Sequence, residues 1–146
     1  MNCIAFKSGY KYQVAHEYTG EIEIRPRRTI ETDWVRLTDS GLLTIKKGYA
    51  SDGPSDPAVD TLNFMRGAFT HDALYGLMRE GHLDHDRYRE PTDRTLQRIC
   101  LEDGMWSARA WWVYHAVRLG GGPSADPAHE KPIIWAPKGC PEGSTA

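Results

Sequence analysis

Residues 69–80 read FTHDALYGLMRE, and the fold turns on how that stretch is placed. At about 100° per residue in a helix, Phe64, Ala68, His71, Tyr75 and Met78 share one sector. Asp72 and Arg79 border that sector, and Arg66 and Thr70 fall opposite. An imidazole, a phenol and a carboxylate therefore sit where apolar side chains would serve a core. A buried polar group without a hydrogen-bond partner costs about 2–7 kcal/mol, so partners are required nearby.

Working outward, Asp60 or Thr61 suits the N-cap of this first helix and Gly81 its end. A second helix is expected from near Pro91, a residue tolerated in a first turn, to Asp103, with Gly104 as its stop. On it Asp93, Leu96 and Cys100 share a face at i, i+3 and i+7, so a carboxylate heads an apolar stripe. Antiparallel packing of the two helices brings Asp93 to the middle of the first, within reach of His71 or Tyr75. A third helix, MWSARAWWVYHAVRL, is expected to stop at the glycine run 120–122.

Upstream, YQVAHEY, EIEIR, DWVRLT and LLTIKKGY alternate as short strands do and predict three or four antiparallel strands. Thr19-Gly20 and Asp39-Ser40-Gly41 are the expected turns, the second being the stronger hairpin signal. SDGPSDPAVDT, residues 51–61, reads as a structured loop feeding the first helix. The fold class is α+β, with N-terminal antiparallel strands and hairpins followed by about three packed helices. At 146 residues a single α+β domain over residues 1–120 fits, with an extended Pro/Gly-rich irregular tail over 121–146 whose apolar island is PIIW.

The formal net charge of −2, without a long basic run, argues against nucleic acid as partner. No stretch is apolar and long enough to predict a transmembrane segment, and the start shows no secretory pattern. Synthesis as a soluble protein of the cytoplasm is the expectation. Cys3, Cys100 and Cys140 lack any C-x-x-C spacing and are expected to be free thiols, with Cys100 in the core.

For chemistry, a carboxylate that orients an imidazole leaves the other ring nitrogen to take a proton from water. His71 and Asp93 fit those roles, with Tyr75 in support. Asp72, one residue on, points elsewhere and could ligate a cation. Asp52 and Ser55 in the Gly-Pro loop could complete an oxygen-rich site, for which Ca²⁺ fits better than Zn²⁺. The same His71, Tyr75 and Asp93 would serve equally as a hydrogen-bond network locking two helices, and the residues alone leave both open. Ser55 as a nucleophile lacks the G-x-S-x-G elbow. HLDHD, residues 82–86, matches no established zinc spacing and reads as a solvated loop. Arg109 falls on the apolar face of the third helix, where it either pairs with a carboxylate or extends its head to water. Trp106, Trp111 and Trp112 suit core and interface better than a ligand cage.

GYASDGPSDPAVDTLNFMRGAFTHDALY followed by YREPTDRTL resembles the phage-encoded domain-of-unknown-function family 1353. That pattern joins an aspartate-glycine-serine-proline loop, an H-D-x-L-Y helix and a downstream R-x-x-D. The resemblance covers roughly residues 40–120 and implies a bacteriophage or prophage origin and a small α+β domain. The histidine helix is also similar to the catalytic helix of secreted phospholipases A2. That likeness implies His71 as general base, Asp72 as calcium ligand, Asp93 as orienting carboxylate and Tyr75 in support. The cysteines that brace the phospholipase helices are missing, and SDGPS is not that family's calcium loop, so the likeness is local.

Two functions follow. One is a hydrolase, metal-assisted through Asp72 and Asp52, acting on a host envelope component, lipid or peptidoglycan. The other is a virion component, a tail or baseplate subunit contacting other phage virion proteins through its tail and aromatic helix. An oligomer and assembly into the virion after synthesis in the host cytoplasm are compatible with the second.

Overall fold

The computed structural model describes residues 3–6, 12–51, 61–129 and 132–140. The expected α+β arrangement is present, with strands first and helices after. A four-stranded antiparallel sheet has the order β3 (Tyr18–Glu21), β6 (Leu42–Ile45), β5 (Val35–Leu37), β4 (Ile30–Glu31). Beside it lie two two-stranded pairings, β2 (Tyr12–Gln13) with β7 (Ala50–Ser51) and β1 (Ile4–Phe6) with β8 (Ile134–Ala136). The helices are α1 (Leu62–Arg79), α2 (His85–Glu102), α3 (Ser107–Gly120) and the short α4 (Gly122–Ala125). None of them is long and apolar enough to cross a membrane.

The sheet is one-sided because its apolar residues alternate. Val35, Leu37, Leu43 and Ile45 are buried, joined by Ile22 and Ile24 from the extended segment after β3. Against them pack Ala73, Leu74, Leu77 and Met78 of α1. A second cluster, Phe64, Leu96, Cys100, Met105, Ala110 and Val113, fills the space among α1, α2 and α3. Helix α1 thus carries both cores. That is why Thr70, expected opposite the buried sector, is itself buried.

The Asp39-Ser40-Gly41 turn joins β5 to β6 as expected, with Gly41 at φ +91° and its N–H donating to the Thr38 carbonyl. Thr19-Gly20, by contrast, is strand and not turn: Thr19 pairs with Thr44 and Gly20 with Leu43. Gly20 leaves room for the Tyr18 ring, since a Cβ there would lie 2.6 Å from the Tyr18 hydroxyl. That hydroxyl accepts a hydrogen bond from Arg66 Nη1 at 3.1 Å. The Arg66 fork also grips the Asp103 carboxylate at 2.9 Å, joining the sheet edge, α1 and the end of α2.

Helix α2 begins earlier than expected, at His85, because Asp84 caps it by accepting from the Asp86 N–H at 2.9 Å. Pro91 therefore lies inside the helix, and residues 82–86 form a turn and helix start in place of a loop. The end of α1 at Gly81, φ +80°, and of α2 at Gly104, φ +94°, follow the glycine signals.

Three further expectations are corrected. Cys3 and Cys140 are disulfide-bonded, with Cα atoms 6.1 Å apart across a separation of 137 residues, while Cys100 is free and buried. The pairing depends on β8 returning to β1, which no local pattern announces. Trp106, Trp111 and Trp112 are not core: they are 84%, 57% and 43% exposed. Within the segment after residue 120, expected to be irregular, the chain forms α4, a 3₁₀ turn Pro127–His129 and β8.

Gly67 lies where α1 closely approaches α2. A Cβ there would stand 2.9 Å from Leu96 Cδ1 and 3.1 Å from Cys100 Sγ. A Gly67→Val substitution should overpack this crossing and cost about 1–3 kcal/mol, read as a drop of about 2–4 °C in Tm per kcal/mol. An unchanged Tm would refute the tight crossing.

Candidate functional site

The antiparallel packing of α1 on α2 sets His71 and Tyr75, one helical turn apart, against Asp93. His71 Nε2 lies 2.7 Å from Asp93 Oδ1, and the Tyr75 hydroxyl donates to the same oxygen at 2.6 Å. The two rings stack with centroids 4.0 Å apart. Arg118 of α3 donates through Nη1 to Asp93 Oδ2 at 2.9 Å. The carboxylate is fully buried, whereas the His71 side chain is 14% exposed. The imidazole is anchored to the buried carboxylate and keeps partial exposure.

A second arginine completes the assembly. Arg89 Nε donates to the Tyr75 hydroxyl at 3.2 Å, and its Nη2 donates to the carbonyls of Val117 and Arg118 at 2.9 and 2.8 Å. Those carbonyls belong to the last turn of α3, where a cation is favoured by the helix dipole. Gly121 lies over the phenol, since a Cβ there would be 3.0 Å from the Tyr75 hydroxyl.

Electrostatics agree with the geometry. Burial pushes the Asp93 pKa up, but hydrogen bonds from His71, Tyr75 and Arg118 outweigh it and leave the carboxyl below its ordinary value. Burial, then the Asp93 hydrogen bond, pushes the Tyr75 phenol well above its ordinary value. An ionised Asp93 has only acceptors, so Nε2 of His71 is the nitrogen that donates in this contact.

Of the sequence-predicted residues, the structure brings His71, Tyr75 and Asp93 together. Asp72 is directed elsewhere: its Oδ2 accepts from the Tyr49 hydroxyl at 2.7 Å. Burial, then Asp72, raises the Tyr49 pKa well above the usual phenol value. Asp52 and Ser55 lie outside the described residues. Among the described residues no group of three or more His, Cys, Asp or Glu could hold a metal ion. His82 and His85 lie near Glu80 and Asp86, at 3.6 and 3.4 Å. Arg109 donates to the Thr61 hydroxyl at 3.0 Å, and the ion pair to Asp93 comes from Arg118.

Arg118, Arg89 and Tyr49 were missed by sequence reasoning. Arg118 had no periodic signal, because it lies roughly 100° round α3 from the Ala110, Val113, Val117 stripe. Arg89 and Tyr49 had none, because their partners are backbone carbonyls of another helix and a carboxylate 23 residues away.

Removing the shared carboxylate orphans three donors at once. Asp93→Ala should destabilise the fold by about 3–5 kcal/mol, measured by urea unfolding. Because the folded pKa is depressed, the Asp93 contribution is complete above the unfolded value, about 3.9, and is lost as pH falls through the lower folded value. Asp93→Asn should therefore show a shallower acid limb in a plot of Tm against pH than the natural chain. Superimposable acid limbs would overturn the assignment.

No family model, curated protein or solved structure matches the chain.

Proposed function

We propose that the chain is a hydrolase in which His71 is the general base. The observation that carries this reading is the buried Asp93 carboxylate 2.7 Å from Nε2 of a histidine whose ring still reaches solvent. Asp93 holds the tautomer, and Tyr75 and Arg118 hold Asp93. The Nδ1 lone pair would take a proton from a water as its oxygen attacks the scissile carbonyl or phosphoryl centre. The imidazolium so formed then has a proton for the leaving group.

The substrate class in this proposal is a host envelope component, lipid or peptidoglycan, in the phage context that the resemblance to domain-of-unknown-function family 1353 implies. His71→Ala is the direct test, since Asp93 keeps Tyr75 and Arg118 as donors and the fold should survive. With phospholipid vesicles and purified peptidoglycan as probes, released fatty acid or soluble muropeptide should fall about 10²–10⁴-fold in the variant, with far-UV circular dichroism unchanged. Full activity in His71→Ala would sink the mechanism, and no turnover of either probe by the natural chain would favour a purely structural role for the cluster.

A second reading, a subunit of a larger assembly such as a virion, is favoured by the exposed face of α3. Trp111 and Trp112 are joined there by Leu119, which is 90% exposed, with Trp106 exposed at the start of the helix, and aromatic surface of this kind is typical of interfaces. In this reading Trp111→Lys with Trp112→Lys abolishes incorporation into sedimenting particles while leaving Tm unchanged. Normal incorporation of that variant would count against it.

A further inference from the structure

The Cys3–Cys140 bridge joins the ends of two strands that, among the described residues, pair only with each other. Among the described residues, β1 pairs with β8 alone, through Ile4 with Ala136, Ala5 with Trp135 and Phe6 with Ile134. A two-stranded ribbon is marginal in water by itself. Beyond β8 the chain turns back, with the Cys140 N–H donating to the Pro137 carbonyl at 3.2 Å and Gly139 at φ +95°. That turn brings Cys140 to Cys3, at a Cα separation of 6.1 Å, inside the range a disulfide spans. The loop closed is long, 137 residues, so the cross-link removes much freedom from the open chain.

We propose that this bridge is a redox-conditional staple, so that β1 and β8 are held together only where a disulfide donor is present. The donor is a small disulfide, RSSR. The thiolate of one cysteine attacks it, forming a mixed disulfide and expelling RS⁻. The thiolate of the other then attacks the protein sulfur and expels the second RS⁻. The protein loses two electrons and two protons, and the donor is reduced to two thiols.

Two observations make the pairing selective. Cys3 and Cys140 are half-buried, so a small donor can reach them. Cys100 is fully buried between α1 and α2, and burial, then Asp103, pushes its thiol up to about 11. It therefore offers little thiolate and little access, and does not compete in exchange. A chain made in a reducing cytoplasm would carry β1 and β8 unstapled until it met oxidising surroundings. The His71 site lies among α1, α2 and α3, so the staple is independent of the function proposed above.

The test uses the full chain equilibrated in glutathione buffers from fully reduced to fully oxidised, quenched, unfolded, alkylated and weighed. The oxidised chain should take one alkyl group, on Cys100, and the reduced chain three, one for each of its cysteines. Amide exchange at Ile134–Ala136 should quicken more than about tenfold on reduction, with the middle of α1 unaffected. Cys3→Ser with Cys140→Ser should exchange like the reduced chain in every buffer, which separates the bridge from any other effect of the reductant. Three alkyl groups on the oxidised chain, a bridge that includes Cys100, or exchange indifferent to reduction would each overturn the proposal.

Discussion

A carboxylate taken out of water must find donors for its lone pairs or lose its charge, and Asp93 imposes that demand on the helical half of the molecule. It is met from two helices, His71 and Tyr75 from α1 and Arg118 from α3, converging on a side chain of a third, α2. These bonds restrict how α1 may slide or rotate on α2, because a shift of one residue would withdraw both ring donors. Apolar packing of Leu96, Cys100 and Val113 tolerates small displacements far better. Arg89 extends the constraint to the end of α3 by holding its last carbonyls and the Tyr75 hydroxyl together.

The sheet is tied to this assembly at three polar points as well as by its apolar face. Tyr49, just before β7, bonds Asp72 of α1. Tyr18 of β3 bonds Arg66, which in turn holds Asp103 at the end of α2. Glu23 accepts from the Thr95 hydroxyl of α2 and pairs with Arg98. These contacts fix the direction in which α1 crosses the strands, and therefore which of His71 and Asp72 faces α2. Successive helical residues differ by about 100°, so once Asp72 is held toward Tyr49, His71 is turned toward Asp93.

The reading from sequence succeeded where periodicity and local chemistry agree. The His71, Tyr75 and Asp93 convergence was legible because all three sit at helical spacing on otherwise apolar faces, and two adjacent helices joined by a short turn pack antiparallel. The hairpin at Gly41 was legible because the turn needs positive φ. Gly20 misled because a glycine that makes room for a Tyr18 ring looks the same as one that makes a turn. Pro91 misled because the Asp84 cap outweighs a proline tolerated one and a half turns into the helix. The Cys3–Cys140 pairing and the arginine contacts to α3 carbonyls left no trace at short range, since each depends on chain segments meeting that no pattern links. The aromatic run of α3 misled in a different way: tryptophan is usually covered, and here it faces out.

The charge arrangement narrows what Asp93 does for His71. Its carboxylate is shared: one oxygen serves His71 and Tyr75, and the other is paired with a guanidinium. Asp93 orients the imidazole through Nε2, and a general base in this site would act through the other ring nitrogen, Nδ1. A network serving stability alone has no need for that nitrogen to be directed anywhere, whereas a base does. The partial exposure of the imidazole above a sealed carboxylate is what the proposed base would require and what a purely structural lock would not.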